Sequence, residues 1–271
     1  NGRKRLGRGN SEVLPRTRAF AALSLGLIGR RHSDMSDTQA VASLIAAMQD
    51  KKGNKAHIDL EVAPIVALGI MRAKESVPAL IKFLEDSNNT TRSRGYAATS
   101  LGKIGDPSAT KTLLEHLSDK QNEVVQSSAM ALGSLINKDD AKSVKVLQKM
   151  LKTGRDLAAK NFTIMSLAQI GGEENRNLLF QQLDGNNFEK TFGALALGVF
   201  FHDARNQGDD KKAEVAKVLH KEFKNTKSPD ERGAYAIALG LMKYDAASAD
   251  ILEVLQKGGQ ASMRQHLCIA L

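Results

Sequence analysis

A leucine-glycine pair recurs along the chain at intervals of roughly 30 to 43 residues, and each copy closes an apolar segment. A second apolar segment precedes each of these, and a short polar break separates the two. Within segments the apolar residues fall at i, i+3, i+4 and i+7, which is the period of an α-helix. The closing pairs are Leu25-Gly26, Leu68-Gly69, Leu101-Gly102, Leu132-Gly133, Leu197-Gly198 and Leu239-Gly240, with Leu167-Ala168 at the remaining step.

This repetition predicts one fold class. Helices of about 12 residues are marginal alone, and a single pair cannot bury its apolar faces, whereas stacking unit on unit creates a continuous core. Alternating β-branched segments are rare, and aromatic residues make up only 4% of the chain. We therefore predict an all-α fold, an α-α superhelix in the form of a right-handed α-solenoid. It spans residues 15–271, with about six full helix pairs and partial units at both ends.

The repeat carries a family resemblance. Residues 94–107, which read RGYAATSLGKIGDP, resemble a HEAT repeat of the subtype called phycobilisome-lyase HEAT-like, and residues 18–29 and 232–240 resemble it similarly. The resemblance implies the α-solenoid fold. It implies less about function, because the family includes scaffolds, nucleic-acid binders and a few enzymes.

Basic charge is concentrated at one end of the chain. Residues 1–31 hold eight basic side chains and one acidic one, while the remaining residues hold 31 basic and 29 acidic side chains. We expect residues 1–14 to form a flexible basic arm, either a solvated tail or a segment that contacts phosphates. The chain lacks an initiator methionine and ends within a repeat, so we expect a fragment of a longer protein. Its compartment and oligomeric state are left unassigned.

The residue eight positions before the closing glycine of a repeat is basic in six of the repeats. Two interpretations stay open for this −8 column. It is either a binding surface that follows a phosphate backbone, or a structural ladder between repeats, and the near-neutral body of the chain favours the ladder. The HEAT resemblance implies that such an arginine pairs with an aspartate of a polar break, here Asp86, Asp119 or Asp184. The −8 column consists of Arg18, Arg94, Lys160, Lys190, Arg232 and Arg264.

Aromatic residues occupy a second column, six positions before the closing glycine. This −6 column differs from the −8 column by about 200° around a helix, so the two face apart. An aromatic stripe at helical spacing is usually core, and we expect these side chains to be buried. The −6 column consists of Phe20, Tyr96, Phe162 and Phe192, with His266 in the same slot.

Motifs for catalysis or metal binding are missing from the sequence. The single cysteine, Cys268, excludes an internal disulfide and a cysteine zinc site. One HEAT-like enzyme, deoxyhypusine hydroxylase, holds iron with His-Glu pairs, and no His-Glu dipeptide occurs in this chain. Residues 203–214 resemble a calcium loop in part, but Arg205 and Lys211 stand where oxygen ligands belong. We therefore predict no catalytic residue, metal or cofactor, and no enzymatic activity.

These observations favour a non-enzymatic protein-protein interaction scaffold that binds a protein partner along its extended surface. Binding of a nucleic-acid backbone through the −8 column is the first alternative, and a HEAT-like bilin lyase is a distant one. No apolar run of about 18 residues is present, so we expect no membrane span.

Overall fold

A computed structural model describes residues 13–31, 38–50, 58–206 and 208–271. Residues 1–12 of the predicted basic arm lie outside the described residues, as does the segment 51–57. The described residues form fifteen α-helices joined by turns and short 3₁₀ segments, with no strand among them. The predicted all-α solenoid class is confirmed.

The chain divides into two compact units, Asn1–Ile136 and Asn137–Leu271. The helices of the first unit are α1 Pro15–Arg31, α2 Thr38–Met48, α3 Ile58–Met71, α4 Val77–Glu85, α5 Thr91–Ile104, α6 Thr110–Glu115 and α7 Asn122–Leu135. Those of the second unit are α8 Ala141–Thr153, α9 Leu157–Ile170, α10 Glu173–Gln181, α11 Asn187–His202, α12 Lys212–Asn225, α13 Pro229–Leu241, α14 Ser248–Lys257 and α15 Ala261–Ala270. Even-numbered helices are the first helices of the pairs, and odd-numbered helices are the second helices.

Many helices begin at a polar side chain of the preceding break. Thr90, Asp140 and Asp156 each accept a hydrogen bond from a backbone N–H three residues ahead, at 3.2, 3.1 and 2.6 Å. Asn186 forms a capping box with Glu189 at the start of α11. Such caps satisfy N–H groups that have no partner within the helix, so the polar breaks of the sequence set where helices start.

The recurring leucine and glycine have separate packing roles. The leucine is buried in α3, α5, α7, α9, α11 and α13. The glycine lets neighbouring second helices approach closely: a Cβ atom on Gly102 would lie 2.7 Å from Cα of Ala131, and one on Gly198 would lie 2.7 Å from Cα of Ala238. In both cases the facing alanine stands two positions before the next closing glycine. The repeated sequence therefore supplies both the glycine on one helix and the facing alanine on the next.

The α-helices of the described ranges are between 6 and 17 residues long. None of them is both long enough and apolar enough to cross a membrane.

Candidate functional site

The −6 aromatic column is on the surface, so the expectation that it forms core is wrong. Phe20 is 66% exposed and Tyr96 is 41% exposed, while Phe162, Phe192 and His266 are half-buried. Leucines and small residues on the other sides of each second helix make the contacts with neighbouring helices. Positions −6, −3 and +1 fall on one stripe of the helix, and in α5 its residues Tyr96, Thr99 and Lys103 are exposed or half-buried.

In the second unit the stripe contains an apolar groove. Phe188, Phe192 and Leu195 of α11 form one wall, and Ile237 of α13 and His266 of α15 complete it. The rings of Phe188 and Phe192 are in contact, with centroids 5.0 Å apart. The groove has a volume of about 420 Å³, and Phe188 is 43% exposed at its mouth. Ligand-binding sites are commonly concave and lined by apolar and aromatic side chains with a few polar groups, and this groove has that character.

One polar atom in the groove lacks a partner. Nδ1 of His266 is buried and has no hydrogen-bond partner among the described residues. The ring lies against Gly233, where a Cβ atom would come within 2.5 Å of Nδ1. Asn187, Ser228 and Asp230 line the rest of the groove. It therefore offers aromatic walls, a polar edge and one unsatisfied imidazole nitrogen.

Arg94 of the −8 column lies in a buried ion pair. Its side chain donates from Nη2 to Oδ2 of Asp119 at 2.6 Å and from Nε to the carbonyl of Leu84 at 2.7 Å. Asp119 also accepts from the backbone N–H of Gln121 at 2.9 Å. Burial tends to raise the pKa of Asp119, but these hydrogen bonds and the charge of Arg94 outweigh it and keep the pKa below 3.8. Arg94 of α5 thus connects the end of α4 with the polar break between α6 and α7.

The other −8 residues have different surroundings. Arg18 is half-buried beside a cavity between α1, α2 and α3. Arg232 donates to the carbonyl of Thr226, and its Nε atom is buried without a partner among the described residues. Lys160 and Lys190 are half-buried, and Arg264 is exposed.

Sequence reasoning missed a second buried ion pair. Arg176 of α10 donates to both carboxylate oxygens of Asp209 at 2.7 and 2.6 Å. Nearby, the buried amide of Asn206 donates to the carbonyl of Phe200 at 3.1 Å. The described part of the connection between α11 and α12 is therefore anchored to the helices around it. No spacing rule links Arg176 to Asp209, because they belong to different segments 33 residues apart.

A smaller polar cluster joins α12 to α14. Nε2 of His220 donates to Oδ2 of Asp250 at 2.7 Å, Nζ of Lys224 is 3.4 Å from the same oxygen, and the His220 ring contacts Tyr244. The hydrogen bond from His220 is the main reason that the pKa of Asp250 lies below 3.8.

We expect His220→Ala to raise the pKa of Asp250 toward 3.8, whereas Lys221→Ala on the same helix leaves it unchanged. Because the folded pKa is lowered, this pair stabilises the fold above pH 3.8, and the contribution is lost as pH falls through the lowered value. A carboxyl ¹³C NMR titration of both variants measures the shift. An unchanged Asp250 midpoint in His220→Ala would show that the histidine does not hold this carboxylate.

Metal binding requires several donor side chains that lie close together. Residues 13–31, 38–50, 58–206 and 208–271 contain no group of three or more His, Cys, Asp or Glu side chains that could hold a metal ion. These residues therefore assemble no ligand set for an iron ion.

Comparison with known proteins gives three kinds of match. The HEAT-repeat family model matches residues 54–133. Deoxyhypusine hydroxylase of Mus musculus is 25% identical over 227 residues, which cover 75% of this chain and 72% of that protein. Among solved structures, the CpcE–CpcF complex of the phycocyanin lyase from Nostoc matches with a TM-score of 0.54 and 22% identity, covering 84% of this chain and 92% of that one. Importin beta matches with a TM-score of 0.52 and 17% identity, covering 89% of this chain and 36% of that one.

These matches correct one expectation and confirm another. The prediction of a chain without enzymatic activity is wrong, because its curated relative is a hydroxylase and one matched fold is that of a lyase. The missing His-Glu dipeptide argued against deoxyhypusine hydroxylase, but the likeness resides in the repeats rather than in a catalytic signature. The HEAT resemblance of residues 94–107 is confirmed by the family model, which covers the same segment. Residues 54–133 therefore match HEAT repeats, and the chain has the HEAT-like α-solenoid fold of these structures.

Proposed function

We propose that this chain binds a protein through the groove between α11 and α13 and serves as the protein-binding part of an enzyme. The observation that carries the proposal is the exposed aromatic groove around Phe188 and Phe192. Aromatic side chains that line a pocket are the usual anchors of protein interfaces, because they bury a large apolar area at low entropic cost.

The extent of the apolar surface favours a polypeptide as the ligand. Leu195 and Ile237 continue the groove along two helices, and Ile269 of α15 is 64% exposed. A polypeptide can place several apolar side chains along such a surface, each with a modest contribution to affinity. The polar edge at Asn187, Ser228 and Asp230 supplies hydrogen-bonding positions for the bound segment.

Relatives of the chain support both parts of the proposal. The CpcE–CpcF structure is a complex of two proteins, which supports protein binding by a chain of this fold. The hydroxylase relative supports a role in an enzyme. The −8 column is a weaker candidate surface, because Arg94 is buried in its ion pair and Arg232 is engaged with a backbone carbonyl.

Selection from a phage-displayed peptide library on the full chain tests the groove. We expect the selected peptides to share closely spaced aromatic or aliphatic residues. Phe188→Glu should weaken a selected peptide by about tenfold or more in fluorescence anisotropy, because a carboxylate in the groove loses its hydration on binding. Leu252→Glu on α14 is the control, since Leu252 is 45% exposed and lies outside the groove. Equal affinities for the two variants would refute the groove as the binding site.

A photo-crosslinking experiment tests the enzymatic part. A benzophenone amino acid at position 188 captures the bound protein in cells that make the chain, and mass spectrometry identifies it. We expect the captured protein to carry a covalent modification that is lost in cells with Phe188→Glu and kept in cells with Leu252→Glu. An identical mass of that protein in both strains would remove the enzymatic role while leaving the binding result intact.

A further inference from the structure

Helix α8 carries a row of lysines on its outer side. Val144, Leu147 and Leu151 are buried, and α8 packs on α9. The amide of Gln148 donates to Asn175 of α10 at 2.9 Å, which fixes the rotation of α8 about its axis. The exposed side follows the spacing i, i+3, i+7 and i+10, and its cations are Lys142, Lys145, Lys149 and Lys152.

The composition of α8 differs from that of the other first helices of the second unit. Helix α8, Ala141–Thr153, contains no acidic residue, whereas α10 begins with two glutamates, and α12 and α14 each carry carboxylates among their lysines. On α14, Lys257 is paired with Glu253. Acidic residues stand beyond both ends of α8, where Asp140 caps its start and Asp156 caps the start of α9. The lysine row therefore presents a positive field along the whole outer side of α8.

The length of the row fits a nucleic-acid backbone. Ten helical residues advance about 15 Å, and the phosphates of one DNA strand advance about 3.4 Å per nucleotide along the duplex axis. About 15 Å of duplex hold about nine phosphates on the two strands together, so each of the four cations has a phosphate within that length. An anionic membrane is a poorer fit, since an interfacial helix inserts its apolar face, and that face of α8 is buried in the protein.

We infer that the lysine row of α8 is a sequence-independent docking surface for the backbone of duplex nucleic acid. It lies on a first helix and is separate from the second-helix groove of the proposed function. Lysine ammonium groups act as point charges on phosphates and read no base edges, so the surface binds by counterion release. It also differs from the −8 column, whose arginine at position 94 is buried.

A binding titration tests the inference. The full chain is titrated into a labelled duplex of about 20 base pairs at salt concentrations from about 50 to 200 mM. The variant reverses all four charges (K142E, K145E, K149E and K152E). We expect it to lose about tenfold or more in affinity at the lowest salt. The plot of log K against log salt has a negative slope, and the magnitude of that slope should decrease by about 3 to 4, since each phosphate contact contributes about 0.9.

A matched control reverses four exposed lysines of the first unit, K74E, K82E, K103E and K111E, and so changes net charge equally. Residues 1–12 are the same in both variants, so any binding by them cancels in the comparison. We expect the control to lose less than about threefold. Equal losses in both variants would overturn the inference, as would absence of salt-sensitive binding by the unmodified chain. Labelled polyglutamate that binds as tightly as DNA would overturn it in favour of an acidic protein partner.

Discussion

Replacing Arg94 with alanine is expected to lower the free energy of unfolding by about 3 kcal/mol. Arg94 is 6% exposed, and its guanidinium joins Asp119 to the carbonyl of Leu84 at the end of α4. Truncation leaves a largely buried carboxylate and a carbonyl without their donor, and the loss of such partners costs more than the pair itself contributes. Urea unfolding followed by circular dichroism measures the change.

Two variants isolate the cause of this loss. Arg92→Ala removes an exposed arginine from the same helix and should change stability by less than about 0.5 kcal/mol. Arg94→Lys keeps the charge but loses the guanidinium fork, so it should recover only part of the stability. If Arg94→Ala unfolds at the same urea concentration as the unmodified chain, the ion pair contributes nothing and the structural role of Arg94 is wrong.

The destabilisation by Arg94→Ala should depend on pH in a defined direction. The pKa of Asp119 is lowered in the folded chain, so its pairing stabilises the fold fully above 3.8, the ordinary value of an aspartate. That contribution is lost as pH falls through the lowered pKa. The difference between the variant and the unmodified chain should therefore be full at neutral pH and shrink in strong acid.

Replacing Gly102 with alanine is expected to cost about 2 kcal/mol, although alanine is the better helix former. The added methyl would lie 2.7 Å from Cα of Ala131 and 2.8 Å from its Cβ. Both atoms belong to or adjoin the backbone of α7, so relief requires the two helices to move apart. Thermal unfolding and urea titration both measure this loss.

Gly95→Ala is the matched control, because it lies in the same helix and faces a flexible side chain. Its new Cβ would meet Oγ of Ser127 at 3.0 Å and the carbonyl of Glu123 at 3.6 Å. Rotation of the serine relieves that contact, so we expect a neutral result or a gain of up to about 1 kcal/mol. Stabilisation by Gly102→Ala similar to that by Gly95→Ala would show that the close approach of α5 and α7 is not limiting.

The helix pairs and most of their core could be predicted from the repeat pattern alone. The helical period keeps each repeat position on a constant side of its helix, and the closing leucine, such as Leu101, is buried in the second helices α3 to α13, whereas Leu25 of the terminal helix α1 is 38% exposed. The polar breaks predicted helix starts for a similarly local reason, because a cap such as Thr90 bonds only to the next turn.

Other features were decided by the tertiary structure. The period shows that Phe192 and Leu197 point in different directions, but how many sides of a helix are covered depends on how the pairs stack. The −6 column therefore became a surface with an open groove at Phe188. Likewise, the HEAT resemblance left three aspartates as possible partners of Arg94. The tertiary structure brings Asp119, in the polar break between α6 and α7, within 2.6 Å of it. Pairing between distant segments, as between Arg176 and Asp209, follows from three-dimensional proximity, which no local pattern encodes.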